Sequence, residues 1–397
     1  MKVGSKRSLA VVGVLLALSM VVAGCAGGGT TGGAKTTEIT IGIGAPLTDG
    51  AVALGKGMVN GANLAIKQAN ESQEVKDLGI TIKSVEGDDK GDPTTGGNVA
   101  TQFASNPSLV GVMGHLNSGV TRVAVKIYNQ ANILQVSPAN TAVDLTEAGF
   151  ENYCRVCTID SVQGPVAADY AFKDAGLKTA YVVDDSTVYG TGLADEWAKQ
   201  FTANGGTVVG REKTGDKDTD FKALVTKIKS GNVQVIYYGG IYNSGALLSK
   251  QLKEGGVAAP LMGGDGLFDG EYIKLAGAAN AEGDFATSVG LPIAKAPGGA
   301  KFLADFKAEY PGQEPAAYDA YSYDAANVII KAIIAVAKEQ GADKVTTLEG
   351  KKAVIEAGTN ADFEGVTGKV KFDGKGDTVN KAITVYSVKA GKWEPVK

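Results

Sequence analysis

The apolar positions of this chain change period again and again. Residues 38–44, EITIGIG, alternate isoleucine with polar or small side chains, the two-residue period of a strand. Residues 57–70 then space Met58, Ala62, Ala65, Ile66 and Ala69 three or four apart, which is one face of a helix. The same reading predicts strands over 80–85, 109–113 and 133–136. Helices fall at 99–104 and 118–129, the second with Ser118 as its N-cap. After SVQGP (161–165) the rhythm restarts, with strands at 180–183, 207–209 and 233–238 and helices at 193–201, 221–228 and 247–252. The stretch KVKFDGKGDTVNKAITVYSV (369–388) breaks it and reads as two strands around an Asp-Gly turn.

Strands alternating with helices imply parallel sheets with right-handed crossovers, here an α/β chain of two doubly wound lobes. Ligands of such sheets lie beyond the carboxyl ends of the strands. Two sheets facing each other present those ends to one cleft, so the residues just after each strand are where chemistry is expected.

The first residues follow a different pattern. Lys2, Lys6 and Arg7 precede an apolar run from Leu9 to Ala23, broken by Gly13 and Ser19. The run is shorter than the ~20 apolar residues a spanning helix needs and fits the h-region of a signal peptide. Val22-Ala23-Gly24-Cys25 resembles a bacterial lipobox, which implies cleavage before Cys25 and lipidation of that cysteine. Residues 25–37, rich in Gly and Thr, then form a flexible tether. The expected product is a body lipid-anchored to the outer face of a membrane.

Composition narrows what the body does. Hydrophobic content of 44% with interspersed charge fits a packed globular protein, and a net charge of −4 argues against nucleic acid as a partner. Besides Cys25 there are only Cys154 and Cys157, in NYCRVCTID. The neighbours of this CxxC read as a strand rather than the helix N-terminus of a redox motif, so a local disulfide and two free, half-buried thiols stand as equal alternatives. With His115 as the one histidine and no second CxxC, neither a metal site, a cofactor site nor a Ser-His-Asp triad is expected. His115 is expected to support its loop, and DGKGD (373–377) to be a turn rather than a calcium loop.

The predicted strand ends carry GHLNSGVT (114–121), SPANTAVDLT (137–146), DDSTVYGTG (184–192), VIYYGGIYNSG (235–245) and MGGDG (262–266). Taken in register, these resemble the leucine/isoleucine/valine-binding protein family, the solute-binding subunits of branched-chain amino acid ABC importers. The resemblance runs over 38–397. It implies the type I periplasmic-binding-protein fold, its two lobes joined by three crossover segments. The implied division is a signal peptide over 1–24, a tether over 25–37, a first lobe from 38–158 plus 290–362, and a second from 159–289 plus 363–397.

The resemblance also implies roles for individual residues. Ser118, with Leu116 and Asn117 beside it, would take a ligand carboxylate at a helix N-terminus, where free N–H groups favour an anion. The Ala139 carbonyl would meet the ammonium, and Thr141 both charges, while Asn140 between them faces solvent. Asp265 stands where the family usually carries a glutamate against the ammonium. Tyr189 keeps the family's aromatic residue. Leu54 replaces a tryptophan and Ile241 a tyrosine, which exchanges aromatic walls for aliphatic ones. The expected protein is a monomeric trap for a neutral L-amino acid that delivers its ligand to an ABC permease and catalyses nothing. Two alternatives stand beside it: a sensor that presents its closed form to a receptor, and a binder of an amide, urea-type or aromatic-acid solute.

Overall fold

The computed structural model describes residues 36–397; the signal segment, Cys25 and the tether up to residue 35 lie outside the described residues. In the first sheet β1 (Thr37–Ala45), β2 (Ile80–Asp88), β3 (Leu109–Gly114), β4 (Leu134–Ser137) and β5 (Tyr153–Arg155) run parallel in the order β2-β1-β3-β4-β5. Helices cover both faces, so the central strands read as continuous apolar runs; all six residues of β3 are buried. The second sheet repeats the winding with β6 (Thr179–Asp184), β7 (Thr207–Lys213), β8 (Val235–Gly239), β9 (Leu261–Gly263) and β10 (Phe285–Ser288), ordered β7-β6-β8-β9-β10. β11 (Asp362–Glu364) and β12 (Lys369–Lys371) make a small antiparallel ribbon, after which β13 (Thr384–Lys389), antiparallel to β10, and β14 (Lys392–Pro395), antiparallel to β13, extend the second sheet. This is the doubly wound α/β architecture that the sequence pattern implied.

Helix Asp319–Gln340 lies under the first sheet. At 22 residues it is long and apolar enough to cross a membrane, yet 72% of its most apolar stretch is buried inside the protein, which marks it as a core helix. It packs closely against helix Val52–Glu71 because Gly61 lacks a side chain. A Cβ there would lie 2.0 Å from the Asp319 carbonyl oxygen.

The closing stretch forms the expected hairpin only as a short one. The turn at Asp373 forms, with Gly376 N–H on the Asp373 carbonyl at 3.1 Å, and the chain pairs back briefly, Val379 N–H on the Lys371 carbonyl at 2.9 Å, before β13 leaves for β10. What holds the turn is Arg155 of β5, whose guanidinium is fully buried and donates through Nε to Asp377 at 2.6 Å. A charge so placed requires a partner, and Asp377 with the Asn140, Ala142 and Thr146 oxygens supplies the whole set. Residues 373–378, grouped with the second lobe in the expected division, thus lie against β5 of the first sheet.

Cys154 and Cys157 are unbonded, as in the free-thiol alternative, but fully rather than half buried. Extended backbone sends side chains three apart to opposite faces, and Val156 N–H still pairs with the Ser137 carbonyl between them. His115 does support its loop: fully buried, it sits between Asp89 at 2.7 Å and Tyr128 at 2.9 Å.

Candidate functional site

The carboxyl ends of β3, β4, β8 and β9 meet between the sheets around a narrow cavity of about 20 Å³. Its wall is Leu54, Leu116, Asn117, Ser118, Ala139, Tyr189, Ile241, Asp265, Gly266 and Tyr318. A roomier cavity of about 300 Å³ lies beyond β10, lined mainly by apolar groups such as Phe268, Leu291 and Trp393. The smaller one is the better candidate because charge and helix termini converge on it.

One end of the cavity is built to receive an anion. Helix Ser118–Gln130 follows β3, and its first backbone bonds run from the Val120 and Thr121 amides to the Asn117 carbonyl. The earlier amides, of Ser118 and Gly119, are therefore free of backbone acceptors among the described residues. Asn117 rather than Ser118 is the N-cap, which leaves the Ser118 hydroxyl on the cavity wall instead of spending it on the helix.

The other end is a carboxylate. Asp265 opens a short turn after β9 and is 2% exposed. Three donors reach it: Gln163 Nε2 at 2.9 Å, the Tyr189 hydroxyl at 2.8 Å, and the Tyr318 hydroxyl. Gln163 holds the loop reciprocally, its Oε1 accepting from the Asp265 amide at 2.9 Å and from Thr287 Oγ1 at 2.7 Å. Burial pushes the Asp265 carboxyl above the usual range, and the three donors pull it back. No basic side chain is among its hydrogen-bond partners, so the pocket carries an uncompensated negative end. Leu54, Leu116 and Ile241 give the space between the ends an aliphatic wall.

Of the residues singled out in the sequence, Ser118, Leu116, Asn117, Ala139, Asp265, Tyr189, Leu54 and Ile241 come together here. Thr141 does not reach the wall: it is fully buried behind it, its hydroxyl without a hydrogen-bond partner. Asn140 is not solvent-facing but wholly buried, its amide donating to the Leu116 carbonyl at 2.7 Å and so fixing the loop that carries Ser118. The sequence does not single out Gln163, and it leaves open which of the clustered Tyr318, Tyr321 and Tyr323 lines the cleft. Gln163 and Tyr318 hold Asp265 from distant parts of the chain.

The periplasmic binding protein family model matches residues 38–392. The chain belongs to this family. The Leu/Ile/Val-binding protein homolog 1 of Brucella melitensis is 35% identical over 91% of this chain and 92% of its own. Among solved structures, the leucine binding protein LivK of Thermotoga maritima superposes with a TM-score of 0.81 at 28% identity, covering 90% of this chain and 98% of its own. The branched-chain amino acid transporter substrate binding protein LivJ of Streptococcus pneumoniae, in complex with isoleucine, does so with a TM-score of 0.79 at 26% identity, covering 91% and 100%.

Proposed function

We propose that the protein captures a neutral L-amino acid, with a branched-chain one preferred, between its lobes and delivers it to an ABC permease. The observation that carries this reading is the opposition of free amides and a hydroxyl at Ser118 to the buried carboxylate of Asp265 across an aliphatic gap. A zwitterion satisfies both ends, and each charge it buries then has a partner. The relatives named for leucine and for branched-chain amino acids, one of them holding isoleucine, support the ligand class. Asp265 speaks against an aromatic acid, whose anion would face a like charge with nothing for the carboxylate to pair with. We further propose that the body is a monomer, that its lobes close on the ligand, and that Cys25 carries a lipid anchor.

A thermal-shift screen of residues 36–397 against the twenty amino acids, urea and benzoate tests the ligand. At 100 times Kd a true ligand adds about 2.7 kcal/mol to stability. Leucine, isoleucine and valine should lead; stabilisation by urea or benzoate alone would overturn the reading. The anchor is tested in the full-length protein. Wild type should partition into detergent and Cys25→Ser should not; a mature N-terminus other than a lipidated Cys25 would refute it.

A further inference from the structure

The roomier cavity beyond β10 has no part in the function proposed above. At about 300 Å³ it falls at the lower end of the ~300–1,000 Å³ typical of small-molecule sites. Strand register builds one wall. Tyr386 of β13 lies opposite Ala286 of β10, two residues before Ser288, and Trp393 of β14 lies opposite Val388, two after Tyr386. Side chains two apart share a face, so Ser288, Tyr386 and Trp393 stand on the same side of the second sheet. Phe268, in the loop after β9, leans over them, its ring 4.1 Å from that of Tyr386 and 5.9 Å from that of Trp393. Phe302 and Ala320, packed with Leu64 of helix Val52–Glu71, close the opposite side.

One charged side chain lines this aromatic cavity. Asp269 is 8% exposed, and its Oδ1 caps helix Gly270–Ala276 by accepting from the Glu271 amide at 2.8 Å. Its Oδ2 has no hydrogen-bond partner among the described residues, and neither do the nearly buried hydroxyls of Ser288 and Tyr386. Buried polar atoms are almost always paired, so three unpaired ones around one void mark a place that a ligand completes. The Trp393 indole N–H, on the Asp269 carbonyl at 3.0 Å, holds its ring beside that residue. Glu271 and Lys274, on the helix that Asp269 caps, pair with each other, and Asp319 approaches from the side of the first sheet with a further carboxyl. No basic side chain lines the cavity among the described residues. Burial holds the Asp269 carboxyl above its ordinary range, the direction expected of a charge without a counter-ion.

We propose that this cavity is a second solute site, selective for a small organic ammonium ion with an aromatic or branched apolar body and no carboxylate. The ammonium donates to Asp269 Oδ2 and faces the rings of Phe268, Tyr386 and Trp393, whose π-faces attract a cation. The apolar body fills the rest of the void. A neutral solute leaves the carboxylate unpaired, and an anion meets a like charge. An amino acid brings a carboxylate that nothing lining the cavity can pair. The narrow cavity at Asp265 thus suits a zwitterion and this one its decarboxylated counterpart. The second site does not depend on the amino-acid reading of the first.

Isothermal titration of phenethylamine into the full-length protein tests this. Phenethylamine should bind, whereas phenylacetate and 2-phenylethanol, which keep the ring without the cation, should not. Saturating leucine should leave the phenethylamine isotherm unchanged. Asp269→Asn retains a helix-capping side chain and should weaken phenethylamine by roughly thirtyfold or more while leucine binds as in wild type. Leu291→Trp adds bulk at a lining position that is 49% exposed and tolerant of change; it should also weaken the amine, and it carries the test should Asp269→Asn misfold. No binding of phenethylamine, or equal binding of phenylacetate, would overturn the proposal and leave the amino-acid reading intact. Wild-type amine affinity in both variants would overturn it too. Displacement of the amine by leucine would place it at Asp265 and have the same effect. Failure of leucine to bind, with the amine still bound, would sink the amino-acid reading alone.

Discussion

Tyr318→Phe removes one hydroxyl and nothing else. Tyr318 precedes helix Asp319–Gln340, which packs under the first sheet, whereas Asp265 follows β9 of the second. Their hydrogen bond therefore joins the two sheets, and under the proposed closure it exists only while the lobes are together. A hydrogen bond to a charged group contributes about 1.5–3 kcal/mol. Here Tyr318 and Asp265 are each 2% exposed, so water does not replace the lost donor. The ring keeps its edge-on contact with Tyr321, at 6.5 Å between centroids, and each lobe should hold its fold. The loss then falls on the closed state alone. At about 1.4 kcal/mol per decade, leucine should bind roughly ten- to hundredfold more weakly. Titration calorimetry measures this, and small-angle scattering follows the compaction at saturating ligand. Affinity within twofold of wild type, with equal compaction, would show that the hydroxyl does not latch the lobes. Tighter binding would show that it competes with the ligand for Asp265, and either result refutes the argument.

Three further outcomes are expected. Asp265→Asn sets an amide against three donors and removes the charge, so leucine affinity should fall by about 2–5 kcal/mol in calorimetry while the circular dichroism spectrum is unchanged. Asp377→Asn leaves the buried Arg155 guanidinium without its counter-charge, and urea unfolding should show a loss of about 3–5 kcal/mol. Asp319 is fully buried, with Oδ1 unpartnered, and burial raises its carboxyl to about 7, above its ordinary 3.8. A carboxyl raised on folding favours the native state fully below its unfolded value and loses that contribution as pH rises through the folded one. Asp319→Asn should accordingly flatten the fall in melting temperature between pH 4 and 8 and melt higher than wild type at pH 8.

How much of this was legible in the sequence follows from how local each feature is. The repeated winding rests on the period of apolar residues, and Ser118, Ala139 and Asp265 rest on their place just after a strand. Gln163 lies 102 residues from Asp265, and Tyr318 lies 53 residues from it. Nothing local in SVQGP or in a tyrosine-rich helix start announces that partnership. Asn140 was misjudged for a related reason. A polar residue in a strand-end loop resembles a solvated one until the second layer of the protein is laid over it. The docking of the closing turn on the first sheet was hidden similarly, since the pull of Arg155 on Asp377 acts across 222 residues.

The interleaving of the chain also constrains the order in which it can fold. The strands of the first sheet are complete by Arg155, but the helix that seals its underside begins only at Asp319, after the strands β6 to β10. The second sheet in turn waits for its last two strands, which end at Pro395. A partly emerged chain can thus finish neither hydrophobic core. It must hold its earliest strands uncommitted until the final residues are free, and contacts this distant in sequence form slowly. Such a chain stays threadable until it is whole, and removing even the last dozen residues would leave an open sheet edge rather than a smaller folded protein.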